Sequence, residues 1–198
     1  MKELWNEKYS GVKYYYGKAP NEYFKQELDK LAPGKILLLS EGEGRNAVYA
    51  AVHNWETSAV DFSEKGKLKS FILSEEFNVT LDYFVMPVEE FPFAENEYDA
   101  VALIYAHYNP EIRSMIHKRV MNSLKPGGMV IIEVFGKNQI NNNSGGPDSL
   151  EMLYTVDELI KDFEGMKIKE AIEIQIELDE GEHHRGTADV VRFRAVKV

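Results

Sequence analysis

Lys35-Ile36-Leu37-Leu38-Leu39-Ser40-Glu41-Gly42-Glu43-Gly44-Arg45-Asn46-Ala47-Val48-Tyr49-Ala50 is the stretch whose reading decides the fold. A short apolar run bounded by turn residues reads as a buried strand, and the Ala/Val/Tyr segment that follows reads as a helix packed back on it. Gly42 and Gly44 let the backbone turn sharply and approach a ligand closely, while the first N–H groups of the helix point at whatever sits there. Such a turn is a nucleotide-cofactor loop, and two cofactor classes use it. Gly42-x-Gly44-x-x-Ala47 satisfies the dinucleotide fingerprint, with Asp61 about 20 residues on as the ribose acid. The charges point the other way, because Glu41 and Glu43 flank the turn and repel a pyrophosphate that the helix N-terminus would otherwise attract. A cofactor that lacks phosphate and carries a sulfonium and an ammonium tolerates them, which favours S-adenosylmethionine (SAM). A glycine turn with no ligand is the bland alternative.

Composition bounds the rest. With 198 residues, 44% of them hydrophobic, the chain fills one core. We therefore expect a single domain over 1–198, with 1–34 an aromatic lid and helix and 35–198 the core. A formal charge of −10 argues against nucleic acid or an anionic membrane as partner, since both are held through clustered Lys and Arg. The absence of cysteine excludes disulfides, a thiolate nucleophile and Cys-ligated metal. No run has signal-peptide or membrane-spanning character, so the expected location is cytoplasmic.

Residues 5–24 are dense in aromatics: Trp5, Tyr9, Tyr14, Tyr15, Tyr16, Tyr23 and Phe24, interrupted by Gly11, Gly17 and Pro20. They read as a loop with short helical turns lying across the ligand site, or simply covering the end of the sheet. Tyr14 and Lys18 match the Tyr-x-x-x-Lys pair of short-chain dehydrogenases, but they precede the glycine loop instead of following it, and we take the match as chance. A helix is expected over 21–31 and a strand over 57–60, with Asp61 at its end. Asp61 either accepts both ribose hydroxyls or caps the helix that starts near Ser63. A third strand over 81–86 leads into Pro87-Val88-Glu89, where a backbone N–H and an acid suit an adenine edge, with Met86 and Val88 against the ring. The fourth strand, 98–105, delivers His107 and Tyr108 at the ligand-binding end of the sheet. Helical spacing over 112–124 carries His117 as a structural or surface residue. Lys125-Pro126-Gly127-Gly128 then turns the chain into a strand over 129–135. A polar loop over 136–147 precedes a helix over 153–163, opened by a Thr155/Glu158 capping box. Alternating strands over 168–178 and 188–198 form a hairpin. If its first strand runs parallel to the others, the turn carrying His183, His184 and Arg185 hangs over the cofactor. Adjacent histidines diverge, so no metal site is expected there.

The whole pattern resembles the class I SAM-dependent methyltransferase fold: α/β, Rossmann-like, a seven-stranded mostly parallel sheet of order 3-2-1-4-5-7-6 with the last strand antiparallel and helices on both faces. The resemblance rests on the loop Ser40 to Asn46, Asp61, Pro87-Val88-Glu89 and Leu124-Lys125-Pro126-Gly127-Gly128. Within the class the chain is most similar to the small tellurite-resistance and thiopurine-like methyltransferases. Glu41-Gly42-Glu43-Gly44-Arg45-Asn46, Gly145-Gly146-Pro147 and Glu180-Gly181-x-x-His184-x-Gly186 carry that likeness. The resemblance implies SAM contacts at Gly42, Gly44, Asp61 and Val88, and a cofactor set that extends to Asn46, Phe62, Glu89 and Tyr105. Many members have an acid where Leu38 stands and a glycine where Ser40 stands, so the methionyl ammonium falls to Glu41 or Glu43. The implied activity is methyl transfer to a small molecule, a thiol or a chalcogen oxyanion, with S-adenosylhomocysteine as product. A soft sulfur, selenium or tellurium acceptor would already be anionic and would need no base. An oxygen or nitrogen acceptor needs one, for which His107 and His184 are the candidates. Arg185 would neutralise an anionic acceptor and Tyr16 would shape its site. We expect a monomer or weak homodimer. An NAD-dependent oxidoreductase and a non-catalytic SAM-binding protein are the rival readings.

Overall fold

The computed structural model describes residues 2–198. Strand β1 (Lys35–Leu39) is buried from Ile36 to Leu39, and its unbroken apolar run follows from lying at the centre of a parallel sheet covered on both faces. It pairs in parallel with β2 (Glu56–Asp61) on one side and β4 (Tyr98–Ile104) on the other. β3 (Asp82–Val85) lies outside β2, and β5 (Leu124–Phe135) outside β4, both parallel. β7 (Arg185–Val196) runs antiparallel to β5, and β6 (Lys167–Asp179) antiparallel to β7. The sheet order is therefore 3-2-1-4-5-7-6, as expected, with β7 alone reversed. The order switches direction between β1 and β4, which opens the ligand crevice at their C-terminal ends.

Alternation along β1 divides the core. Leu37 and Leu39 face α5 (Pro110–Ser123) and α6 (Val156–Asp162), where they join Ile116, Val120, Leu159 and Phe163. Ile36 and Leu38 face α2 (Glu22–Leu28) and α3 (Arg45–Val52), with Phe24, Leu28, Ala47 and Ala50. Leu38, where many members of the family the sequence resembles have an acid, is part of this packing and offers a ligand no polar group.

Some boundaries differ from the sequence reading. Residues 2–8 form a helix, α1 (Lys2–Lys8), where turns were expected. The helix read over 21–31 ends at Leu28, where it tightens into i→i+3 turns, with Lys30 N donating to Glu27 O and Leu31 N to Leu28 O. β5 starts early: Leu124 pairs with Tyr98, and after a register shift Met129 pairs with Ala100. The Lys125-Pro126-Gly127-Gly128 turn is thus held within the strand, where Gly127 N–H donates to Lys197 O at 2.8 Å. The capping box forms as read, with Thr155 Oγ1 accepting from Glu158 N at 3.2 Å and Glu158 Oε2 accepting from Thr155 N at 2.9 Å.

Gly44, at the start of α3, has φ +88, and a Cβ there would lie 2.3 Å from Oγ of Ser70 on α4 (Glu64–Glu76). Gly44→Ala combines left-handed strain with overpacking and should cost about 2 kcal/mol or more of unfolding free energy. Urea denaturation reads this directly, and a loss below about 0.5 kcal/mol, the ordinary range for a surface substitution, would mean that α4 gives way.

Candidate active site

The chain leaves β1 through Ser40, which sits at φ +56, and turns through Gly42 at φ +64 and Gly44. Ser40, a non-glycine residue in the left-handed region, stores strain beside the crevice, and its hydroxyl meets that of Tyr108 at 3.2 Å. The Glu41 side chain then folds back on the helix: its Oε1 accepts from Asn46 N and Ala47 N, each at 2.8 Å. Two of the N–H groups expected to face a ligand are therefore capped by the loop's own carboxylate. Burial raises the Glu41 pKa to about 7, against the opposing pull of these N–H groups and of Arg45.

Asp61, at the end of β2, accepts from Gly42 N at 3.1 Å and Ser63 N at 2.8 Å, one on each oxygen. Burial lifts its pKa to about 6 despite these hydrogen bonds. The cap of α4 is Ser63, whose hydroxyl accepts from Gly66 N, so Asp61 is not needed for that task. Met86 N donates to Asp61 O at 3.0 Å, which brings the ends of β2 and β3 together. Val88 is buried in the 3-10 turn Val88–Glu90, and Phe62 is half-buried next to Asp61. Glu89, expected at the adenine edge, has an exposed side chain and gives its carbonyl to Arg119.

The aromatic segment lies across this loop. Tyr9 rests on Gly42, where a Cβ would come within 2.6 Å of the phenol oxygen. Glu43, the other candidate for the ammonium, is engaged elsewhere: it accepts from Tyr15 N at 2.7 Å and from Lys69 Nζ at 2.6 Å. Lys69 Nζ also binds Lys13 O, and the Tyr14 hydroxyl donates to Lys69 O. Glu43 thus latches the segment 13–15 onto α4. Lys18 pairs with Glu76, so Tyr14 and Lys18 form no proton-transfer pair. Asn46, expected to touch the cofactor, gives its side-chain oxygen to Asn21 N at 2.9 Å and holds the start of α2.

The far wall is a buried polar network. Glu133 on β5 accepts from Arg192 Nε at 2.6 Å, from the Tyr105 hydroxyl at 3.0 Å and from Asn21 Nδ2 at 2.6 Å. Glu180 accepts from Arg45 Nη2 at 2.8 Å and from Asn21 Nδ2 at 3.0 Å. None of these five partners, Asn21, Arg45, Glu133, Glu180 and Arg192, was expected as a site residue. Glu133 had a signal, as the lone acid in the apolar run Ile131-Ile132-Glu133-Val134-Phe135.

The histidines separate clearly. His184 is buried against Tyr16 (4.1 Å between ring centres), Tyr105 (4.6 Å) and Phe135 (5.4 Å). His107 is locked by the main chain: Nδ1–H donates to Met152 O at 2.8 Å, and Nε2 accepts from Phe135 N at 3.3 Å. Burial lowers its pKa to about 4. With both nitrogens occupied, His107 has no lone pair for an acceptor proton, which corrects the expectation of a base there. His117 is fully buried and bonds Asp162, a structural residue as read. Arg185 is exposed beside Asp179, so the expected neutralising cation faces away from the imidazole.

Residues 36–128 match the family described as "Methyltransferase domain". That match covers just under half of the chain. A curated relative, the ubiquinone/menaquinone biosynthesis C-methyltransferase UbiE of Geotalea daltonii, is 32% identical over 114 residues, 54% of this chain and 48% of the relative. The chain thus spans about half the length of the curated relative it matches. Among solved structures, TehB from Haemophilus influenzae superposes with a TM-score of 0.74 at 18% identity, over all of this chain and 67% of that one. A SAM-dependent methyltransferase from Methanosarcina mazei gives 0.67 at 16% identity, over 91% and 99% of the two chains.

The matched family and the fold imply SAM as cofactor, and the residues present fit it. The α3 N-terminus, where a diphosphate would sit, is filled by the Glu41 carboxylate. Asp61 keeps lone pairs free beyond its two backbone donors and pairs with no cation among the described residues. Both features suit a ligand that brings hydroxyl donors and positive charge. Among the described residues no helix is long and apolar enough to cross a membrane, and no cluster of three or more His, Asp or Glu side chains is placed to hold a metal ion.

Proposed function

We propose that this protein transfers a methyl group from SAM to a small acceptor bearing a dissociable proton. The observation that carries the reading is the Glu41 carboxylate closing the helix N-terminus beside an unpaired Asp61. An NAD-dependent oxidoreductase would need those same N–H groups for its diphosphate. When bound, SAM supplies an electrophilic methyl carbon on a sulfonium. Asp61 would hold the ribose hydroxyls, Val88 and Phe62 the adenine, and Glu41 Oε2 the methionyl ammonium. Gly42 and Gly44 shape the turn these residues share, and Tyr105 closes the end of β4. Trp5, Tyr9, Tyr15 and Tyr16, in mutual ring contact at 4.9–6.4 Å, exclude water, so that positioning rather than solvent sets the barrier. His184 takes the acceptor's proton.

A thiol fits this arrangement better than a chalcogen oxyanion. Arg45 and Arg192 are paired to Glu180 and Glu133, and Arg185 lies outside, which leaves an oxyanion poorly compensated. Asp61→Ala should weaken SAM binding by about 1–3 kcal/mol, the cost of lost charged hydrogen bonds. Calorimetry with SAM checks this, and unchanged affinity would remove Asp61 from the cofactor site. S-adenosylhomocysteine release over a panel of thiols, phenols, amines and chalcogen oxyanions then tests the transfer itself; SAM binding without any release would favour the non-catalytic alternative.

A further inference from the structure

We infer that Glu180 is the positioning residue of the proposed base: it fixes His184 with its proton on Nδ1 and leaves Nε2, which has no partner of its own among the described residues, as the nitrogen that accepts. The inference rests on the reading of His184 given above.

The hairpin turn builds the pair. β6 ends at Asp179, and Glu180 N–H donates to His184 O at 2.8 Å, which closes the turn and sets both side chains at the same end of the sheet. Gly181 takes φ +81, and the backbone of Tyr15 to Gly17 crosses over it; a Cβ there would lie 2.9 Å from Tyr15 O. Glu180 Oε2 faces His184 Nδ1 at 3.4 Å while accepting from Arg45 Nη2, and Oε1 accepts from Asn21 Nδ2. The carboxylate is therefore anchored from the cofactor loop and from the start of α2, and it presents one oxygen to the ring. A carboxylate opposite Nδ1 selects the tautomer that leaves Nε2 as acceptor.

The other nitrogen is in a different position. Nε2 has no hydrogen-bond partner among the described residues, yet it is not among the sealed, unpartnered buried atoms. In front of it Gly145 packs closely: a Cβ there would lie 3.0 Å from Nε2 and 2.6 Å from Cδ2, so only a glycine lets the loop come this near the ring edge. Among the described residues, His184 alone combines a carboxylate opposite Nδ1 with an unsealed, unpartnered Nε2. His107 has both nitrogens on main chain, and His117, though paired to Asp162, has its Nε2 sealed in the core. His53 bonds Tyr49 O on the surface, and His183 is exposed and stacked on Tyr15. The charge balance agrees. Burial works to raise the Glu180 pKa, but the His184 hydrogen bond and Arg45 outweigh it and hold it down at about 2, so the residue facing Nδ1 is an anion at any working pH.

Two-bond nitrogen–proton NMR correlation of the imidazoles, on the whole protein with SAM at neutral pH, tests the assignment. Wild type should show His184 neutral with the proton on Nδ1. Glu180→Gln should redistribute it toward Nε2 and lower turnover of an acceptor that must lose a proton roughly 10- to 100-fold with the KM for SAM unchanged, while Glu180→Asp should restore much of both. A wild-type spectrum with the proton on Nε2 overturns the inference without recourse to any variant, as does a Glu180→Gln spectrum identical to wild type. Calorimetry on the same samples keeps the questions apart: failure to bind SAM sinks the reading of the cofactor site, whereas the wrong tautomer with SAM bound sinks the role of Glu180 alone.

Discussion

SAM should bind at least ~10-fold more weakly at pH 5 than at pH 7.5, an effect set by how far below their pKa values two acids lie. The Asp61 pKa is raised to about 6 and the Glu41 pKa to about 7, in both cases by burial that N–H donors only partly offset. At pH 5 about one-tenth of Asp61 and about one-hundredth of Glu41 are ionised, whereas at pH 7.5 both are mostly carboxylate. Protonation removes the acceptors that ribose hydroxyls need and the charge that an ammonium needs. The free protein moves in the opposite sense. Both folded pKa values exceed the ordinary carboxylate values, so the stability these groups contribute is complete below about pH 4 and is lost as pH rises through 6 to 7. The melting-temperature shift on adding SAM should therefore grow from pH 5 to 7.5. Titration calorimetry across that range decides the matter: a flat affinity means that neither carboxylate touches the ligand.

His184→Asn should reduce turnover about 10²- to 10⁴-fold for an acceptor that must lose a proton, the usual worth of a positioned base. SAM affinity should stay within about twofold, since the ring meets Tyr16, Tyr105 and Phe135 rather than the glycine loop. Burial, partly opposed by Glu180, lowers the His184 pKa below its ordinary value. The imidazole is thus already neutral at pH 7, and the acid limb of the kcat profile should fall below pH 6.5. The same variant sorts acceptors, because one that arrives ionised would lose little. A rate untouched for every proton-bearing acceptor would leave His184 as part of the wall and nothing more.

The sheet was legible because its signals are local. An apolar run, a glycine turn and a capped helix recur in order, and Ser63 and Thr155 sit where their hydroxyls reach an amide three residues on. The proposed cofactor end could be read for the same reason, since Glu41, Gly42 and Asp61 lie close to strand ends. What sequence could not show is where a side chain turns after leaving the backbone. Glu41 folds back onto its own helix and Glu43 reaches Lys69, although both flank one glycine. His107 and His184 share a residue type, and main-chain groups at Phe135 and Met152, the latter 45 residues beyond His107, hold the one while Glu180 faces the other. Glu133 meets Arg192 through the pairing of β5 with β7, a register that no short window contains. Arg185 faces outward because a strand's phase is reset by the turn that precedes it.

The bond between Asn21 and Glu180 joins residues 159 positions apart. Closing a loop of that size comes late, after local strands and helices have formed. On the proposed reading, a partly folded chain thus owns a nucleoside cradle and still lacks the group that removes a proton. Competence to bind and competence to react are acquired at separate moments, and the second reports that the outermost hairpin has docked.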